Sequence, residues 1–448
     1  MKIKKFLSLR SFKRIYVACA VMLLLTGGAQ LAPAQEADKK ISGFNLERAR
    51  TMLRSVKTDI QKYYYDDKFR GIDLEARFKE ADEKIKKASS LSHAFGIIAQ
   101  VLVDFNDSHT YFVPPPRPAR TDYGWLMKMI GDKCYVSAVK PGSDAEAKGL
   151  KVGDEVWSID GFEPTRANLW KMKYFYYSLR PRSGMQVIIR KPDGAEREIS
   201  VMAKVTPGKQ ISHFADIFDF IRDAENEDRL NRHRYYEMGE ELFIWKMPQF
   251  DMEDAQIGGM MSKVKKRKAL ILDLRSNGGG LASTLQNLVG YFFDRDVKLA
   301  DIKRRKETKP EIAKSRGDRV FTGQVIVLVD SESGSAAEMF ARIIQLEKRG
   351  TVIGDRTAGA VMQSRYHNHE SGVDIVAFYG VSVTEADVIM SDGKSLEHTG
   401  VTPDQLMLPT AAQMSAKQDP VLAHAASLVG VKIDAEKAGT MFPVEWRK

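Results

Sequence analysis

Cysteine is almost absent from this chain, with only Cys19 and Cys134 among 448 residues. That scarcity excludes a fold stapled by disulfides. Cys19 sits inside an early apolar run and lacks the small-residue spacing of a lipid-attachment box. Cys134, between Lys133 and Tyr135-Val136, reads as a strand residue pointing into a small core. Long hydrophobic runs are missing as well. The stretch Ile15 to Leu25 falls well short of the roughly 20 residues that span a bilayer, and no later segment is longer or more apolar, so no stable membrane span is expected. Glycine and proline are scattered rather than clustered, and there is neither an internal repeat nor a low-complexity tract, which excludes fibrous and disordered classes.

An excess of one charge is also more apparent than real. The formal balance is +10, but Lys2, Lys4, Lys5, Arg10, Lys13 and Arg14 all precede the early apolar run, with no acidic residue among them. Basic residues, then the apolar run, then a small-residue segment ending Ala32-Pro33-Ala34 form the order of a secretory signal, with cleavage expected after Ala34. Without residues 1–34 the chain carries 63 basic against 59 acidic residues, or +4. Nucleic-acid binding then loses its compositional support, and the short runs Lys265-Lys266-Arg267-Lys268 and Arg304-Arg305-Lys306 read as solvated turns. The expected destination is the periplasm or the extracellular side of the cell envelope.

The remaining length suits two or three domains. From Phe44 to Val103 the apolar positions Leu46, Met52, Leu53, Val56, Ile60, Ala94, Ile97, Ile98 and Leu102 recur at helical spacing, giving an N-terminal helical domain over 35–116. Pro114-Pro115-Pro116 ends it as a stiff extended link. Over 117–206 short β-type runs (Cys134 to Val139, Glu155 to Ile159, Met185 to Arg190, Arg197 to Met202) alternate with turns at Pro141-Gly142, Asp160-Gly161 and Asp193-Gly194, a β-rich module. From 207 to 448 helices and strands alternate: a helix near His213 to Arg222, a strand Leu242 to Trp245, a helix Glu253 to Lys263. The strand Ala269 to Leu274, apolar but for Asp273, follows, then Val325 to Val329, the helix Ala336 to Leu346, and Val352 to Ile353. Strands that are apolar throughout suit burial on both faces, so this part is α/β with a mostly parallel central sheet.

Two segments carry chemistry. Ser335 lies in Asp330-Ser331-Glu332-Ser333-Gly334-Ser335-Ala336-Ala337-Glu338, a loop that leaves a buried strand and opens a helix, where free N–H groups and the helix dipole gather. Ser335 with Glu338 three residues on is equally a capping box, and alone that reading would win. The second segment is Asp273-Leu274-Arg275-Ser276-Asn277-Gly278-Gly279-Gly280, whose glycines let backbone N–H groups point into open space as in an oxyanion hole. It has neither the lysine of a P-loop nor the spacing of a dinucleotide loop.

Two resemblances follow from these residues. Val139 to Gly161, with its Pro141-Gly142 turn, small-residue helix, Gly149-Leu150 stop and Gly153-Asp154-Glu155-Val156 strand entry, resembles a PDZ domain. That implies a groove between a strand edge and a helix, with Tyr123-Gly124-Trp125-Leu126 as the loop that binds a peptide carboxylate and Trp125 narrowing the pocket or meeting an aromatic terminus. A packed accessory domain without a ligand is the other reading. The order of the Asp273 and Ser335 segments, Gly354-Asp355-Arg356-Thr357-Ala358-Gly359, and Glu397-His398-Thr399-Gly400-Val401-Thr402-Pro403-Asp404 is similar to the C-terminal processing (tail-specific) and tricorn-type serine peptidases.

The family resemblance implies that Ser335 is the nucleophile and that Gly279, with Gly278 and Ala336, supplies oxyanion N–H groups. Processing proteases carry a lysine base where this chain has Ala360; no lysine occurs between Lys348 and Lys394, and Gln363 is out of the family's register. The resemblance of Asp107-Ser108-His109-Thr110 to the Ser-His pair of tricorn-type members makes His109 the base, oriented by Glu397 through Ser108. His367 and His369 alternate on a strand as one exposed face, and no metal or other cofactor is required. His398 reads as substrate-facing. The expected function is an exported serine endopeptidase acting near C-termini, its partners proteins or peptides with free C-termini. A catalytically idle peptide-binding scaffold and a carrier of hydrophobic small molecules stay open as alternatives.

Overall fold

The computed structural model describes residues 41–446 apart from 118, 192, 208–231 and 373–375. The secretory signal and the helix expected near His213 to Arg222 therefore lie outside the described residues. No helix of the described residues is long and apolar enough to cross a membrane.

A six-stranded sheet forms the centre of the C-terminal half. Its order is Gln405–Leu406, Thr351–Gly354, Gln324–Val329, Ala269–Asp273, Leu242–Lys246 and Arg234–Met238. All neighbours are parallel except the antiparallel edge Arg234–Met238. The central strands are apolar except at their ends, at Lys246, Asp273 and Gln324, because both faces are covered. Helices Asp254–Val264, Ala282–Val289 and Ala336–Leu346 enclose one core, and Pro420–Leu428 and Ala435–Met441 pack on the other face. The loops that leave Ala269–Asp273, Gln324–Val329 and Thr351–Gly354 emerge side by side at the carboxyl ends of parallel strands, the usual place for a site in such a sheet.

Helices Gly43–Tyr63, Leu74–Lys86 and Leu91–Val103 begin at Ser42, Asp73 and Ser90, whose side chains each accept a backbone N–H of the first turn. Their apolar stripes do not close a core alone. Phe112, Tyr379, Val381 and Val383 complete it, the last three from the strand Ala377–Met390. That strand continues into the α/β core through Ala386, Val388 and Met390, so one element joins the two cores. It pairs antiparallel with Tyr111–Val113, Val297–Lys303 and Met362–Ser371 in a second sheet.

Between these parts a five-stranded antiparallel sheet runs Trp125–Ile130, Lys133–Val139, Glu155–Ile159, Gly184–Arg190 and Glu196–Met202 in spatial order. Ala119–Asp122 pairs with Lys204–Pro207, bringing the module's entry and exit together as a neck. Cys134 is buried in the module's core. Trp125 is buried there too, at 3% exposure, with no hydrogen-bond partner for Nε1. Trp125 pairs with Val139 across the sheet, and its indole lies in the module's core.

Candidate active site

Ser335 is the N-cap of helix Ala336–Leu346, with φ 51° and ψ −119°. A serine with a side chain pays strain in this left-handed region, and sharp strand-to-helix turns of this kind lift a nucleophile clear of a sheet. Neighbouring loops hold the turn. Gly334 N–H donates to Asn277 O at 2.9 Å, and Ser333 Oγ donates to Leu274 O at 2.8 Å. Ser335 N–H is shared between Ala360 O at 2.9 Å and Glu338 Oε2 at 3.0 Å. Glu338 thus makes the backbone half of the expected capping box, but its carboxylate also accepts from Thr357 Oγ1, Gly359 N and Ala360 N.

The glycine loop presses directly on the nucleophile. A Cβ on Gly279, whose φ is +102°, would lie 2.6 Å from Ser335 Cβ, so only glycine permits this approach. The Gly279 N–H, expected to face an oxyanion, instead donates to Asn277 Oδ1 at 2.8 Å. The buried Asn277 amide is fixed for this by its own donation to Met247 O at 2.8 Å. Among the described residues the N–H groups of Gly278 and Ala336 have no acceptor. Sequence alone did not reveal the Asn277 contact, because the glycine pattern does not say which way each peptide plane turns.

The histidine side of the site begins at the end of helix Leu91–Val103. His109 Nδ1 lies 2.7 Å from Ser108 Oγ, which lies 2.8 Å from Glu397 Oε2. Glu397 also accepts Ser108 N–H at 2.9 Å and Val361 N–H at 2.9 Å. A carboxylate only accepts, so the single Ser108 hydroxyl proton goes to Glu397, and Ser108 Oγ accepts from Nδ1–H. His109 is thereby the tautomer with a bare Nε2. Burial holds its pKa below the ordinary value, against the pull of Glu397 and Asp107. Asp107, which the pattern did not single out, accepts His109 N–H at 2.9 Å, Thr384 Oγ1 at 2.7 Å and Tyr64 O–H at 3.0 Å. A carboxylate two residues before the histidine, in Asp107-Ser108-His109, was the signal available.

Ser335 and His109 are joined through adjacent residues: Ser335 N–H reaches Ala360 O, and the next amide, Val361 N–H, reaches the carboxylate that holds Ser108. Among the described residues no direct hydrogen bond links Ser335 Oγ to His109. His398 Nε2 lies 2.9 Å from Asn106 O, bracing the turn ahead of Ser108. The other strand histidines have structural neighbours, His369 Nε2 at 2.5 Å from Asp59 and His367 stacked on Tyr63 at 4.2 Å.

At the module, Gly124 turns with φ +73° and Ser143 fills the space where a Cβ would stand. Gly124 N–H donates to Asp122 Oδ1 at 2.8 Å, and the Tyr123 hydroxyl accepts Arg182 N–H at 2.9 Å. Leu126 is the second residue of the strand Trp125–Ile130 and lies opposite Ala138. The module meets the nucleophile loop directly: Lys128 Nζ lies 3.2 Å from Asp330, Lys173 Nζ 2.7 Å from Glu332, and Ser331 Oγ donates to Met129 O at 2.5 Å.

Residues 244–407 match peptidase family S41. The tail-specific protease of Haemophilus influenzae is 24% identical over 320 residues, which cover 66% of this chain and 43% of that protein. The chloroplastic C-terminal processing peptidase of Tetradesmus obliquus is 23% identical over 372 residues, 78% of this chain and 75% of that protein. The chain thus spans less than half the length of the first relative. The crystal structure of mature CPAF superposes with a TM-score of 0.63 at 16% identity, covering 83% of this chain and 94% of that one, which establishes a shared mixed α/β fold. The matched span 244–407 takes in Ser335, the glycine loop and Glu397, so the part of the chain that carries the candidate site is similar to the serine peptidases of family S41.

Proposed function

We propose that the chain is an exported serine endopeptidase that cleaves proteins near their C-termini, with the β-rich module as a PDZ domain that captures the chain end. The observation that carries the catalytic part is the proton order Glu397, Ser108, His109, which leaves His109 Nε2 free to accept a proton. In this reading Ser335 Oγ attacks the scissile carbonyl carbon while its proton passes to Nε2. The oxyanion is met by the N–H groups of Ala336 and Gly278, with Gly279 joining if its peptide plane turns from Asn277. The intermediate collapses as the C–N bond breaks and His109 returns the proton to the leaving amine. Water then repeats the sequence on the acyl-enzyme. Ala360 at the position of the family's lysine makes the histidine route the available one.

The capture part is supported by the single-sided pairing of Trp125–Ile130, an edge to which a peptide can add as a further strand. The test is labelling by a fluorophosphonate. Modification mapped to Ser335, and lost in His109→Ala, supports the enzyme. Absence of labelling at any pH, with or without added peptide, would instead leave an idle binding protein or a carrier of small hydrophobic molecules.

A further inference from the structure

An ordinary capping box asks its acidic residue to accept one N–H, that of the N-cap. Glu338 does much more. Its side chain is wholly buried, and Oε2 accepts Ser335 N–H at 3.0 Å and Ala360 N–H at 2.9 Å. Oε1 accepts Thr357 Oγ1–H at 2.5 Å and Gly359 N–H at 2.8 Å. Among the described residues no cation pairs with it, so these four donors are what the carboxylate has. Three of the four come from 357–360, which continues to Val361, whose N–H holds Glu397. The same turn is tied on its far side, where Thr357 Oγ1 accepts Val401 N–H at 2.6 Å and His398 N–H donates to Gly359 O at 2.7 Å.

We propose that Glu338 is a positioning residue that fixes the strained turn of Ser335 and the 357–361 loop in one register, and so sets the nucleophile against the Glu397–Ser108–His109 relay. The proposal rests on the serine-peptidase reading above. Geometry makes the acid irreplaceable by its amide. Glutamine offers one oxygen and an NH₂ group, and that NH₂ would face two of the four donors. The orphaned pair would be either Ser335 and Ala360 or Thr357 and Gly359, and each case releases one side of the register. Burial pushes the carboxyl up to about 7, and the four donors work against that rise.

The experiment uses the full chain, a peptide that the wild type cleaves, and fluorophosphonate labelling of Ser335. Glu338→Gln is expected to lower kcat by about 10²-fold, the scale of a small misplacement of reacting groups, with KM nearly unchanged and labelling slowed in parallel. Thr357→Val removes the donor to Glu338 Oε1 and the acceptor of Val401 N–H while keeping the shape; it is expected to lower kcat about tenfold or more, on the scale of a hydrogen bond to a charged group, and Thr357→Ser, which keeps both bonds, is expected to restore it. Should Glu338→Gln not fold, the two Thr357 variants decide. Wild-type kcat in Glu338→Gln or in Thr357→Val overturns the proposal, as does a loss that Thr357→Ser shares. A wild type that neither cleaves nor labels would sink the peptidase reading itself, whereas equal labelling of wild type and variants sinks only the role of Glu338.

Discussion

At the scale of single residues, the chemistry turns on where one proton sits. Glu397 cannot donate, so Ser108 must, and His109 is left with a bare Nε2. Burial holds the imidazole below its ordinary pKa even with Glu397 and Asp107 nearby. A base works only when neutral, so acidification through its pKa removes activity, and a lowered pKa moves that loss to more acidic pH. The acidic limb of kcat/KM is therefore expected below the ordinary histidine value of about 6.5. A limb centred at or above that value would show that the carboxylates outweigh burial and that the proton order is wrong. His109→Ala is expected to cost nearly as much rate as Ser335→Ala, since members of a catalytic unit fail together, while Glu397→Gln costs less. Near-full activity in His109→Ala would place the base elsewhere.

At the scale of elements, the site depends on how one strand spans two cores. Ala377–Met390 contributes Val381 and Val383 to the helical core and Ala386 and Val388 to the α/β core, and it pairs with Tyr111–Val113 just after His109. Phe112, in the middle of that short strand, is fully buried. Phe112→Ala is expected to destabilise the protein by about 3–5 kcal/mol, read as a lower urea midpoint, with activity lost well before global unfolding because His109 rides on the same segment. An unchanged midpoint would mean that the strand does not anchor the histidine. Much of this level was legible beforehand. Ala269 to Leu272 and Val325 to Val329 are apolar at every position, a pattern that suits a doubly covered strand, and the loops after them carry the glycines and Ser335. The strand Ala377–Met390 was not legible, because its inward residues serve different cores and its partners lie far away in sequence. Nor was the turn of the Gly279 amide, which is decided by Asn277, nor the inward indole of Trp125, which is decided by cross-strand register.

At the scale of the whole molecule, the proposed capture and the proposed chemistry lie on different units that touch. If export removes the leader, N-terminal sequencing of the mature chain gives a start near Gln35, and an intact Met1 in the envelope fraction would contradict export. The capture unit makes a sharper demand. Among the described residues strand Trp125–Ile130 has a strand partner on one side only, and its Met129 carbonyl accepts Ser331 Oγ from the nucleophile loop. A peptide added antiparallel with its carboxylate at Tyr123–Leu126 runs upstream toward Met129, and so toward the loop that carries Ser335. In the proposed mode its carboxylate would be held at the far end, away from the scissile bond, so that contact would be the same in ground and transition states. Interactions of that kind change KM and leave kcat alone. Amidating the C-terminus of a cleaved peptide is accordingly expected to raise KM about tenfold or more, the worth of a hydrogen bond to a charged group, with kcat little altered. Equal KM for the acid and the amide would remove carboxylate capture, and a fall in kcat at constant KM would place the carboxylate at the reacting centre instead.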